Sequence, residues 1–235
     1  VHPPILERAQ ELLGLDAPVA HALDVGCGAG GSTRALTPVA RVRTGIDPAA
    51  AMVRAAAAAD DDAGFVRATG ERLPFRDRSC QLVTAAGSLS FSDLPATLAE
   101  VARVLTSDGA LVAYDFGPGR ADRGVEGLAD WWAEFLGRWP RTPTASVVTP
   151  ETLAAGPLRL AVHEAFTISL RLDLDRFLAY VMTESNVTRA VRAGTPLDVI
   201  ASWCAETLAP RFAGPRPVPF DCWLAGLVRR APSGR

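Results

Sequence analysis

Lysine is absent from this chain of 235 residues, and all 24 of its basic side chains are arginines. That absence excludes Schiff-base chemistry on a lysine amine, attachment of pyridoxal phosphate, and the phosphate grip of Walker-type or kinase-type lysines. Metal-ligand patterns are missing too. Three histidines (His2, His21, His163) and four cysteines (Cys27, Cys80, Cys204, Cys222) show neither CxxC nor HExxH spacing, so no metal site is expected. Each cysteine stands alone in an apolar stretch and reads as a buried free thiol. No span of ~18 uncharged apolar residues occurs, and no basic, apolar, small-residue pattern opens the chain. We therefore expect a cytoplasmic enzyme with no membrane partner, and the lack of an opening Met fits removal of leading residues. A basic stripe is also lacking: the arginines are dispersed against 26 acids, the formal charge is −2, and no nucleic-acid partner is expected. A single guanidinium, Arg171 or Arg189, remains suited to pairing with a carboxylate on a small substrate. Nothing in the sequence sets an oligomeric state.

Hydrophobic residues make up 49% of the chain, and no Gly/Ser-rich linker or charge run divides it, so one domain over 1–235 is expected. Residues 20–116 alternate short β-rich runs with helical stretches, the pattern of βαβ units with a parallel sheet covered on both faces. Strands are expected near 21–25, 42–46, 64–67, 81–85 and 109–115, with helices near 31–37, 48–59 and 93–105. The second of these helices opens with Pro48 in its first turn and runs through alanines. From the Gly/Pro-rich 117–119 the rhythm changes. An amphipathic helix near 125–138 carries Trp131, Trp132 and Phe135, followed by a strand near 161–171, helices near 173–192 and 197–209, and a last strand near 218–229. The segments 117–160 and 173–214 read as helical insertions over a substrate, and 1–20 as an N-terminal helix.

The densest signal is Leu23-Asp24-Val25-Gly26-Cys27-Gly28-Ala29-Gly30-Gly31, a strand ending in a glycine turn that opens a helix. Gly26, Gly28 and Gly31 satisfy GxGxxG, and Asp47 follows at the distance of a ribose-binding acid, which alone would suggest a nicotinamide dinucleotide. Asp24 argues against it. A carboxylate two residues before the first glycine would lie near the pyrophosphate and repel it, whereas it would attract a cofactor carrying an ammonium and a sulfonium. S-adenosylmethionine is such a cofactor.

The chain here resembles the class I S-adenosylmethionine-dependent methyltransferases of the small-molecule type. Asp24 with Gly26, Gly28 and Gly30 matches their first motif. Gly45-Ile46-Asp47-Pro48 followed by Met52 is similar to the second, whose acid accepts from the ribose hydroxyls. Glu71-Arg72-Leu73-Pro74-Phe75 with Ser79-Cys80-Gln81-Leu82-Val83 looks like the adenine-side loop and fourth strand. Glu100 to Leu105, Asp108-Gly109 and Tyr114-Asp115-Phe116 resemble the following helix, turn and fifth strand. The resemblance implies a Rossmann-like, doubly wound α/β fold: a mostly parallel seven-stranded sheet with an antiparallel last strand and helical cap insertions. It implies S-adenosylmethionine as cofactor, S-adenosylhomocysteine as product, and cofactor contacts from Asp24, Gly26, Gly28, Gly30, Asp47, Pro48, Met52, Gly70, Glu71 and Ala86. Three positions depart from the pattern. Thr69 stands where an adenine-binding Asp is common, Gln81 where the fourth strand often opens with Asp, and Ser90-Phe91 where a histidine or aromatic pair is common.

Other roles suit some of these residues: Asp47 as a cap for the next helix, Met52 as plain core, and Glu71 as a solvated loop acid. His21 and His163 lie toward strand beginnings, away from the carboxyl ends where ligands collect in open α/β sheets, and His2 reads as a fraying end. Better placed for the substrate are Asp115 at the end of the fifth strand, and Tyr180 and Glu184 one helical turn apart. Methyl transfer from a sulfonium is an in-line displacement with a good leaving group, so alignment and water exclusion suffice and no catalytic dyad is required. The leading expectation is O-methylation of a small-molecule acceptor. The alternatives are a repurposed fold that cyclises or isomerises its substrate with the cofactor bound, and a non-catalytic cofactor-binding module.

Overall fold

The alternation of apolar and helical segments in the first half becomes a set of parallel strands. A computed structural model of the chain describes residues 1–15, 18–118 and 124–230. β1 (Val19–Val25), β2 (Ala40–Asp47), β3 (Gly64–Arg67), β4 (Cys80–Ala86) and β5 (Leu105–Pro118) lie in the order β3-β2-β1-β4-β5 with every neighbouring pair parallel. β6 (Leu158–Leu172) and β7 (Arg216–Arg229) complete a seven-stranded sheet, β7 lying between β5 and β6 with antiparallel pairing at this end. The central strands are buried on both faces, as parallel strands under two helix layers must be: Ala22 to Val25 of β1 and Leu82 to Ala85 of β4 are all buried. Strand order reverses between β1 and β4, the point at which open α/β sheets gather ligands beyond the carboxyl ends of their strands.

The first half also carries α1 (His2–Leu13), α2 (Gly31–Ala35), α3 (Ala50–Ala59) and α4 (Leu94–Val104). α4 starts where Asp93 accepts from the Ala96 N–H at 3.2 Å with Pro95 in the first turn, and it buries Leu94, Leu98 and Val101 in the core. The helix expected from Pro48 begins instead at Ala50. Asp47 accepts from the Ala49 N–H at 2.8 Å and holds residues 47–49 as a turn ahead of it.

The chain divides into two units, one of Val1–Phe116, Thr144–Phe166 and Cys222–Arg235, the other of Gly117–Pro143 and Thr167–Asp221. The second unit holds α5 (Leu128–Arg138), α7 (Leu174–Val181), α8 (Ser185–Arg192) and α9 (Leu197–Leu208), while α6 (Pro150–Ala154) lies in the first. Of the segment 117–160, residues 117–143 group with the second unit and 144–160 with the first, and Gly119 of the expected break lies outside the described residues. The helix expected over 173–192 is two. The Thr183 hydroxyl donates to the Tyr180 carbonyl at 2.6 Å, Glu184 turns extended at φ −62 and ψ 138, and α8 restarts after it. Trp131 and Trp132 are core of the second unit: Trp131 stacks on Phe135 and Trp203 and donates its indole N–H to Thr207 at 2.8 Å. No helix of the described residues is long and apolar enough to cross a membrane.

Candidate functional site

At the reversal point β1 runs into the glycine turn. Gly26 has φ +74, and a Cβ added there would lie 2.3 Å from the Ser88 Cβ, so both its backbone and its close approach require glycine. Ser88 closes the contact by donating its hydroxyl to the Val25 carbonyl at 2.5 Å, which draws the loop after β4 against the turn. Two residues on, Gly28 is also left-handed at φ +52, but a Cβ there would meet nothing within 4 Å, so the turn faces open space at this point. Its N–H donates to Asp47 Oδ2 at 3.1 Å, while Asp47 Oδ1 accepts from Ala49. Asp47 is partly exposed and fixed by two backbone donors beside the open side of the turn; it does not cap α3 as the sequence allowed, since Ala49 holds that position without a side-chain cap, but forms the turn before it. Pro48 is exposed and accepts from Arg67 at 3.1 Å, and Met52 is half-buried in the first turn of α3.

Asp24 is used differently from the expectation. Its side chain is fully buried, and it accepts from the hydroxyls of Ser32 (2.6 Å), Thr33 (2.7 Å) and Thr84 (3.0 Å). Burial pushes its carboxyl above the ordinary carboxylate range even against these three donors. Its hydrogen bonds tie the start of α2 to β1 and β4 beneath the glycine turn. Cys27 is a protonated, buried thiol, pushed up to about 12 by burial and then by the two neighbouring carboxylates.

On the β3 side, Gly70 packs under Thr97, whose Cγ2 would lie 2.8 Å from an added Cβ. Glu71 is not a free loop acid: it accepts from the Asp93 N–H at 2.9 Å. Burial raises its carboxyl, but the N–H groups of Glu71 and Asp93 and the Thr69 hydroxyl pull it down further, leaving it below its usual value. Thr69 itself is exposed. Gln81 accepts from the His21 N–H at 2.9 Å, an acceptor role that explains how an amide serves at this strand start.

At the ends of β4 and β5, where Ala86 pairs with Tyr114, a small cleft of about 30 Å³ is lined by Gly87, Ser88, Ser90, Tyr114, Asp115 and Trp223 among others. Asp115 is exposed, accepts from the Phe116 N–H at 2.8 Å, and holds Oδ1 3.0 Å from where a Cβ of Gly87 would stand. His2 is corrected. It does not fray but opens α1 with Nδ1 2.9 Å from the Tyr114 hydroxyl, a contact whose partner lies 112 residues along the chain. His21 bonds Thr44 at 3.0 Å inside the sheet, and His163 is exposed on β6. Tyr180 and Glu184 lie in the second unit, joined by a 2.7 Å hydrogen bond across the break between α7 and α8, with the Tyr180 ring against Phe177 and Phe220. Arg171 and Arg189 both donate to backbone carbonyls of that unit, Pro215 and Arg141 respectively.

Residues 23–113, from mid-β1 to β5, match the methyltransferase domain family. Over this span, less than half of the chain, the sequence is similar to a methyltransferase domain. In sequence the chain is 35% identical over 99 residues to the uncharacterized methyltransferase YcgJ of Bacillus subtilis (strain 168), an alignment that covers 40% of this chain and 39% of that relative. The crystal structure of YcgJ matches it at TM-score 0.59 and 19% identity over 99% of this chain and 100% of that one. The [4+2]-cyclase SpnF matches at TM-score 0.59 and 18% identity over 98% of this chain and 82% of its own. Geranyl diphosphate C-methyltransferase from Streptomyces coelicolor A3(2), in complex with Mg2+, geranyl-S-thiolodiphosphate and S-adenosyl-L-homocysteine, matches at 0.52 and 18% over 95% and 74%. At these identities the structures share the fold. The residues of this span fit the cofactor: the open side of Gly28 leaves room for an amino-acid tail, and Asp47 offers a fixed, partly exposed carboxylate to a ribose diol.

Proposed function

We propose that this protein transfers a methyl group from S-adenosylmethionine to a small-molecule acceptor, with oxygen the leading acceptor atom. The observation that carries the reading is Asp47, a carboxylate held by Gly28 and Ala49 at the mouth of a turn that faces open space. Bound there, the cofactor supplies an electrophilic methyl on a sulfonium. Asp47 accepts from the ribose hydroxyls, and Gly26, Gly28 and Gly30 let the backbone approach the tail. Pro48 and Met52 flank the adenine, while Gly70, Glu71 and Ala86 shape the walls. Asp115, beside the cleft at the ends of β4 and β5, takes the proton of a neutral acceptor, or orients an acceptor that arrives already ionised. Tyr180 and Glu184 are proposed as substrate-side groups of the second unit. The apolar part of the cleft's lining, with Trp223 and Leu89, suits an organic acceptor.

A second reading keeps the cofactor and drops methyl transfer. SpnF, a cyclase, shares the fold at the same TM-score as YcgJ, so the fold does not choose between the two chemistries. Incubation with labelled S-adenosylmethionine and a panel of carboxylic acids, phenols, alcohols and amines separates them. We expect S-adenosylhomocysteine to accumulate in step with loss of one acceptor and gain of one methyl mass. A product with no added methyl mass would establish the second reading.

A further inference from the structure

We infer that His2 is a cofactor-binding residue whose Nε2–H, fixed in one tautomer by Tyr114, receives the carboxylate of the cofactor's amino-acid tail beside the glycine turn. This rests on the reading of S-adenosylmethionine as the cofactor. His2 Nδ1 and the Tyr114 hydroxyl are 2.9 Å apart, and the imidazole meets the rings of Tyr114 and Phe116 edge-on, at centroid distances of 5.8 Å and 5.1 Å. These contacts fix the ring in both position and plane. Tyr114 is 1% exposed and burial holds its phenol well above the usual range; among the described residues its buried O–H meets no acceptor other than His2 Nδ1, so it donates there. Burial, and after it the positive charges of the Val1 amino group and of Arg34, brings His2 down to about 4, so at neutral pH the imidazole is uncharged. An uncharged imidazole that accepts at Nδ1 carries its proton on Nε2.

Nε2 is also the atom that approaches the turn: it lies 3.8 Å from where a Cβ of Gly31 would stand. Among the described residues none accepts a hydrogen bond from it. An N–H donor is thus set between the carboxyl end of β5 and the glycine turn, on a side chain that cannot serve as an acceptor there. Of the two charged groups on an amino-acid tail, such a donor receives the carboxylate and offers nothing to the ammonium. Arg34, which donates to the Ala29 carbonyl of the same turn at 3.3 Å, adds positive charge of the matching sign.

The test is calorimetric titration of the full chain with two probes, S-adenosylhomocysteine and 5′-methylthioadenosine, the second keeping the nucleoside and thioether and lacking the tail. We expect His2→Phe to weaken S-adenosylhomocysteine by about tenfold, the loss of one hydrogen bond to a charged group, and to leave 5′-methylthioadenosine unchanged. His2→Gln, which restores an amide N–H near Nε2, recovers part of the loss. Tyr114→Phe, which frees the tautomer, shows the same discrimination between probes with a smaller factor, and it carries the test should His2→Phe not fold by circular dichroism. Equal weakening of both probes, or of neither, overturns the inference and leaves His2 a packing residue. If the unaltered protein binds neither probe, the cofactor reading itself fails, and the inference with it.

Discussion

Asp24 and Asp47 stand at the ends of adjacent strands, and burial separates what they do. Asp24 commits both its oxygens to three hydroxyls beneath the turn, whereas Asp47 stands partly exposed on the open side while two backbone donors hold it still. Asp47→Ala removes the ribose acceptor and also releases Gly28, so affinity for S-adenosylhomocysteine should fall by about 1–3 kcal/mol for each ribose hydrogen bond lost, read by calorimetry. Unchanged affinity would remove Asp47 from the site. Both acids were legible in the sequence because motif spacing marks strand ends. The burial of Asp24 was not, since the third hydroxyl comes from Thr84, 60 residues away on a different strand. His2 was illegible for the same reason: a histidine at a chain end reads as fraying until a buried tyrosine on β5 is folded over it. Charge at a strand end can be inferred from one segment, but whether that charge meets solvent depends on segments that only the fold brings together.

Among the elements, the glycine turn depends on a contact between β1 and the loop after β4 that tolerates no side chain. Gly26→Ala would place a left-handed alanine 2.3 Å from the Ser88 Cβ. The backbone strain alone costs about 1–2 kcal/mol, and relief of the clash moves Ser88 off the Val25 carbonyl. We expect a lowered thermal midpoint together with lost cofactor affinity; Gly26→Ala with Ser88→Gly should recover part of the stability, and failure to recover any would show that the contact is not what the glycine serves. Elements of the sheet were legible almost in full, because hydrophobic runs bounded by turns identify buried parallel strands. β3 falls where it was expected, and the others extend by a few residues beyond their apolar runs through ladder hydrogen bonds that need no apolar side chain. The break after α7 was not legible. Residues 182–184 are Met, Thr and Glu, none a helix breaker, and the interruption comes from the Thr183 hydroxyl and from Asn186, which is buried and donates to the Trp139 carbonyl at 2.7 Å.

For the whole molecule, the division into two units meets a countervailing fact of connectivity. The boundary falls inside β6 and inside β7, each of which runs through it without interruption, so melting either unit frays strands that belong to both. The proposed cofactor residues, Asp24 to Ala86, lie in one unit, while four of the five tryptophans, Trp131, Trp132, Trp139 and Trp203, lie in the other. Tryptophan fluorescence therefore reports chiefly on the unit that does not hold the glycine turn, and far-ultraviolet circular dichroism reports on the entire chain. A ligand at 100 times its dissociation constant stabilises the folded state by about 2.7 kcal/mol. For a domain of this length that corresponds to a rise in thermal midpoint of roughly 5–10 °C. With S-adenosylhomocysteine at that excess we expect the fluorescence and dichroism midpoints to coincide and to rise together by this amount. A dichroism midpoint that rises while the tryptophan midpoint stays put would show that the shared strands do not couple the two units, and that substrate-side groups such as Tyr180 and Glu184 stand on an element that unfolds independently of the cofactor site.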